Sequence, residues 1–292
     1  MSLSRDSGFR HLGTPEVAPA PISSLKFLVP REHGSWGMWM LPLITGAITG
    51  AAHSQHFSGW GMFWFCLAAA SAFLAYQPLE VLLGGSLFKV HSTAERKFIA
   101  GWAAVLFLIG AMAAFDLLLL GRGRVLWFGA LGVACFALRI LLGKARRYRV
   151  TRQVLGALSL SSAAAAAYYV AAGFLDQTAL LLWGANWLFA AGQIEYVQLR
   201  VRTTGVQGRQ EKFCAGLKLC AYHLVLLFFA LAASLRLVVS PLFAIAFVPA
   251  LLRIVAWIMS KPAKIDFHIL GFSELFQSLL FSGLLLWATL LR

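Results

Sequence analysis

A chain of 292 residues that is 60% hydrophobic and 12% charged, with a mean hydropathy of +0.77, is not a water-soluble domain; about a quarter of the residues of such a domain are charged. The composition fits a chain whose solvent is lipid. The net charge of +14 does not by itself point to nucleic acid, because no soluble basic segment with interleaved aromatics accompanies it.

In chain order, the first 25 residues read as a disordered tail, with Pro15, Pro19 and Pro21 among Ser, Gly and Ala and nothing periodic. The tail is not a signal peptide: no short apolar core follows a basic start, and the first apolar run leads into many more. Residues 26–292 form a single membrane domain. A bilayer crossing needs about 20 apolar residues, which places spans at 36–52, 59–81, 98–120, 125–142, 154–174, 179–197, 216–235, 238–258 and 269–290, the fourth being short. The expected fold is an all-α polytopic membrane protein of about nine transmembrane helices.

Basic residues fall almost entirely in alternate connections. Arg5, Arg10, Lys26 and Arg31 precede span one, and Lys89, Arg96 and Lys97 follow span two. Lys144, Arg146, Arg147, Arg149 and Arg152 follow span four, Arg200, Arg202, Arg209 and Lys212 follow span six, and Lys261 and Lys264 follow span eight. The first and fifth connections carry no Lys or Arg, the third has Arg122 and Arg124, and the seventh has Arg236. The positive-inside rule then puts the N-terminus in the cytoplasm, and the positive charge faces anionic lipid head groups there. The four cysteines, Cys66, Cys135, Cys214 and Cys220, lie in or at the edges of spans without metal-ligand spacing, as small buried apolar residues do.

An ionisable residue at membrane depth costs about 2.5 kcal/mol or more, so it is a functional candidate by default. Among the acids, Glu32, Glu80, Glu195 and Glu274 hold such positions. Span two closes on Tyr76-Gln77-Pro78-Leu79-Glu80; span six carries Asn186 and closes on Gln193-Ile194-Glu195-Tyr196. Each ends with a Gln and a Glu and runs into a basic loop. Asn186, Gln193 and Arg200 recur every seven residues on one helical face, whereas Glu195 lies about 200° around from Gln193. The loops supply Arg96, Lys97, Arg200 and Arg202, and arginine suits bidentate contact with phosphate. The expectation is a cytoplasm-facing cavity lined by Gln77, Glu80, Asn186, Gln193, Glu195 and His33, fringed by Arg31, Arg96, Lys97, Arg200 and Arg202. Glu80, Glu195 and His33 are the candidate catalytic groups. The alternative for the basic residues is topology and anionic lipid alone. For Glu274 and Arg253 two arrangements stay open, an internal pair or two separate polar contacts.

Span one opens on Pro30-Arg31-Glu32-His33-Gly34-Ser35-Trp36-Gly37. Ser35 or Glu32 is placed to cap the helix, Trp36 and Trp39 suit the interface, and His33 is of the side-chain type that serves as a proton donor or acceptor. Extended through Met38-Trp39-Met40-Leu41-Pro42, this segment resembles the signature of the bacterial YwiC-like membrane protein family. The likeness runs from about Val29 to the end, through the Gln193 to Arg202 stretch and Gly271-Phe272-Ser273-Glu274. More remotely, the layout resembles the UbiA superfamily of intramembrane prenyltransferases, with nine spans, a cytoplasmic N-terminus and acidic motifs on spans two and six.

That resemblance implies a prenyltransferase-like helical bundle in a bacterial cytoplasmic membrane, an isoprenoid or diphosphate lipid substrate, and a Mg²⁺ ion. Glu80 and Glu195 would be its ligands. The sequence departs from the superfamily motifs: NDxxDxxxD becomes Tyr76-Gln77-x-x-Glu80-x-x-x-Gly84, and DxxxD becomes Glu195-x-x-x-Leu199. One carboxylate from each motif suits a single ion, not a two-ion cluster. Three readings stay open: a divergent transferase acting on an isoprenoid or other phosphorylated lipid, a transporter or lipid-moving protein, and a non-catalytic lipid-binding membrane partner.

Overall fold

The computed structural model describes residues 33–84, 90, 92–143, 145–206, 208–235, 240–260 and 266–291. Among them are eleven α-helices and no strand: α1 (His33–His53), α2 (Gly59–Leu82), α3 (Thr93–Leu119), α4 (Val125–Leu141), α5 (Arg149–Ser161), α6 (Ala163–Ala172), α7 (Gln177–Arg202), α8 (Arg209–Leu235), α9 (Leu242–Ile245), α10 (Val248–Met259) and α11 (Phe267–Leu290). Because α5 runs on into α6 and α9 into α10, the helices make nine rods at the positions expected from the apolar runs. Six rods are long and apolar enough to cross a membrane. The outward surface is studded with large apolar side chains such as Phe107, Trp127, Leu141 and Phe272, each more than 70% exposed. Water would not tolerate such a surface; lipid does. This is a multi-pass membrane protein.

Rod α7 falls short of the hydropathy of a span because it carries Asn186, Gln193, Glu195, Gln198, Arg200 and Arg202. It sits inside the bundle with its Leu182, Phe189 and Ile194 buried, so protein rather than lipid solvates it.

Both helix breaks have local causes. At Ser162, the hydroxyls of Ser161 and Ser162 donate to the carbonyls of Leu158 and Ser159, and the Trp183 indole donates to the Leu158 carbonyl as well. Serine bonding back along the chain competes with the helical ladder. Between α9 and α10, Pro249 removes an N–H near the start of α10, and the turn before it closes through Phe247 N to Ala244 O. Four helix starts are capped by side chains. Ser92 and Glu95 form a reciprocal capping box on α3; Ser58, Asp176 and Asp266 accept backbone N–H bonds at the starts of α2, α7 and α11.

The central rod is α6, every residue of which from Ala163 to Ala171 is buried. Its alanines let α1 approach at backbone distance through Gly46 and Gly50, spaced as in small-xxx-small helix pairs. A Cβ on Gly46 would fall on the Ala164 carbonyl, and one on Gly50 would lie 2.6 Å from the Tyr168 carbonyl oxygen. Deeper still, Phe189 of α7 stacks on Phe281 of α11 at 4.0 Å, and Phe247 meets Phe281 at 5.3 Å. All three rings are buried, and Phe189 and Phe281 lie near the middle of α7 and α11. At one end, Thr49 meets Thr289 at 3.1 Å and the Tyr168 hydroxyl donates to Asp176 at 3.0 Å. The other end gathers the C-termini of α2, α4, α7 and α10 with the N-termini of α5, α8 and α11, and it carries most of the described basic residues, Arg122 and Arg124 lying at the opposite end.

Candidate functional site

Two ion pairs lie inside the basic end. In the first, Arg253 of α10 is held by three side chains from two helices: Nη1 donates to Gln193 Oε1 of α7 at 2.9 Å, Nη2 pairs with Glu274 Oε1 of α11, and the guanidinium stacks 3.7 Å from the ring centre of Tyr196, also of α7. Arg253 stands six residues from the end of α10 and Glu274 seven from the start of α11. At 1.5 Å per residue the pair is about 10 Å inside the rods. The two side chains are 12% and 17% exposed. Arg200, one turn further out, donates to the Tyr196 hydroxyl at 3.2 Å. Lys212 of α8, also buried, donates to the Ser260 carbonyl at 2.9 Å. His223 of α8 is 2% exposed; its Nδ1 is bonded to the Leu219 carbonyl, and its ring fills the space left by Gly192, where a Cβ would lie 2.9 Å from Cε1.

The second pair sits nearer the surface. Arg139 of α4 reaches Glu80 of α2 at 3.5 Å and lies 4.8 Å over the Tyr76 ring. Its Nη1 occupies the space beside Gly156 of α5, where a Cβ would lie 2.8 Å away. Gln153 of α5 accepts from Gln198 of α7 at 3.2 Å, tying this half of the end to the other.

The residues expected from sequence are therefore divided. Gln193 and Arg200 join the Arg253 cluster, Glu80 joins Arg139, and Glu274 pairs with Arg253, which resolves the alternative left open for those two. Glu195 points away from Gln193, as the helical count implies, and meets Arg202 on the surface at 3.2 Å; their side chains are 44% and 63% exposed. An exposed pair of this kind contributes about 0–1 kcal/mol. Asn186 is buried and donates to its own helix at the Leu182 carbonyl. Gln77 is half-buried, and Arg96 and Lys97 are exposed at the start of α3. Arg31 and the His33 side chain lie outside the described residues, so their expected roles at the mouth are not part of this geometry.

Arg139, Tyr196, Lys212 and His223 are absent from the expected site, although three of them are ionisable residues within apolar helices. Extending the membrane-depth argument from acids to bases finds Arg139 and His223 directly.

Among the described residues, no three His, Cys, Asp or Glu side chains come together as a metal site. Glu80 and Glu195 each already neutralise a guanidinium. Magnesium prefers carboxylate and phosphate oxygens in octahedral array, and these side chains as arranged do not fit it.

The model of the YwiC-like protein family matches residues 29–172, which carry Glu80, Arg139 and Gly156. The Arg253 cluster lies beyond the matched residues. The chain is 25% identical over 184 residues to the uncharacterized protein YwiC of Bacillus subtilis (strain 168), covering 61% of this chain and 69% of that protein. No solved structure matches.

Proposed function

From the match of residues 29–172 to the YwiC-like family as premise, we propose that this protein of a bacterial cytoplasmic membrane binds the phosphorylated head group of an isoprenoid or other lipid. The head group enters at the basic, cytoplasm-facing end of the bundle, and the protein acts on it as a divergent transferase. The single observation that carries this reading is an excess of cations within that end. Among the described residues, Arg139, Arg200, Lys212 and Arg253 stand there against two inward carboxylates, Glu80 and Glu274. An uncompensated positive charge at membrane depth is costly, and an anionic head group arriving from the adjoining leaflet offsets it.

The chemistry available is electrostatic. Guanidinium groups bind phosphate oxygens through paired N–H donors and stabilise charge as it develops on a phosphate leaving group. Glu80, beside Arg139, is the carboxylate available for proton transfer; Glu195 lies on the outer surface with Arg202, and His33 is the first residue of α1. The Phe189, Phe281 and Phe247 block favours a site open to one side over a route for passage.

Native mass spectrometry with lipid extraction on the detergent-purified protein tests the proposal. A phosphorylated lipid retained through purification is the expected result. Recovery of neutral lipid alone, or of no lipid, would remove it.

A further inference from the structure

We infer that Arg139 anchors a phosphate-binding site between α2, α4 and α5, separate from the Arg253 cluster and working without a metal ion. The inference rests on the proposal that the protein binds a phosphorylated lipid, and it names the group that receives the phosphate.

An arginine side chain is always charged and carries five N–H donors in a planar fork. Arg253 shows how this protein satisfies one: two side-chain acceptors and an aromatic face. Arg139 has far less. Its contact with Glu80 is 3.5 Å, the outer limit of a hydrogen bond. Its Nε is buried and has no partner among the described residues. The side chain as a whole is 21% exposed, so its outer nitrogens are within reach of an anion arriving from the surface. Yet the fold keeps room for this guanidinium: Tyr76 lies under it, and Gly156 supplies the gap that its Nη1 fills. A side chain held in place and short of acceptors specifies a ligand that is all acceptor. A phosphate fits, since its oxygens match the fork two at a time.

The position agrees. Arg139 is two residues from the end of α4, about 3 Å along the axis, at the basic end of the bundle. Arg147 and Arg149 are exposed close by, and Arg152 caps the chain after α4 at the Gly143 carbonyl. Glu80 is the one carboxylate bonded to Arg139 among the described residues, and it is a competitor for the incoming anion. This gives the inference a sign: neutralising Glu80 strengthens anion binding, whereas a carboxylate serving as a metal ligand would weaken it when neutralised.

The test uses the full chain in nanodiscs of phosphatidylcholine, with EDTA present. The probes are phosphatidic acid, diacylglycerol of the same chains, and inorganic diphosphate as competitor. Thermal unfolding of each variant reports folding. The wild type is expected to prefer phosphatidic acid over diacylglycerol. Arg139→Met is expected to lose about tenfold or more in phosphatidic acid affinity, Arg139→Lys to fall between, and Glu80→Gln to bind more tightly than wild type. Displacement by inorganic diphosphate would mark the free phosphate as the recognised group; binding without displacement would mark the lipid-borne phosphate, and either keeps the anion site. Wild-type affinity in Arg139→Met overturns the inference and leaves the lipid proposal standing. If that variant does not fold, unchanged or weakened binding in Glu80→Gln overturns it. Equal binding of phosphatidic acid and diacylglycerol by the wild type overturns both.

Discussion

Arg253→Met is expected to destabilise the protein by about 3–5 kcal/mol, the usual cost of leaving one partner of a buried ion pair uncompensated. The substitution strands the Glu274 carboxylate, 17% exposed and about 10 Å inside the rods. It also removes the donor to Gln193 and the cation from the face of Tyr196. Three rods, α7, α10 and α11, lose their common contact at once. The double variant Arg253→Met/Glu274→Leu removes both charges and is expected to regain most of the loss, because a buried pair costs nearly as much desolvation as it returns in attraction. Thermal unfolding of the two variants in detergent measures this. A double variant no more stable than the single would show that the pair's charges are not what sets the cost.

Gly46→Leu is expected to yield no folded protein, and Gly46→Ala to cost about 1–3 kcal/mol or more, the range for overpacking a tight contact. The reason is backbone against backbone: the added Cβ falls on the Ala164 carbonyl, which cannot swing aside as a side chain can. Relief requires α1 to move off α6, which undoes the packing of the central rod. Gly129→Ala is the control, since a Cβ there meets nothing within 4 Å. It is expected to leave stability unchanged or raise it by up to about 1 kcal/mol through helix propensity. Equal behaviour of Gly46→Ala and Gly129→Ala in thermal unfolding would contradict the close-approach account.

The rods are legible in the sequence because a bilayer demands long apolar runs, and each expected span coincides with a rod or a pair of end-to-end helices. The breaks are visible in hindsight as local chemistry, two serines in series at Ser161 and Ser162 and Pro249 after Phe247. The helix pairing is less visible. The spacing of Gly46 and Gly50 and the run Ala163 to Ala167 mark surfaces of close approach, but neither says that the two surfaces meet. The divergence of Gln193 from Glu195 follows from helical periodicity alone. The pairing of Glu80 with Arg139, 59 residues apart, does not; it depends on how α2 and α4 pack, and on a gap at Gly156 that only the third dimension shows.

The most direct measurement of the central claim is an equilibrium titration of the protein in nanodiscs with a polyprenyl phosphate and with the matching polyprenol, with and without EDTA. The account predicts that the phosphate form binds about tenfold tighter or more, and that EDTA leaves the difference in place. Equal affinity for the two lipids would contradict it.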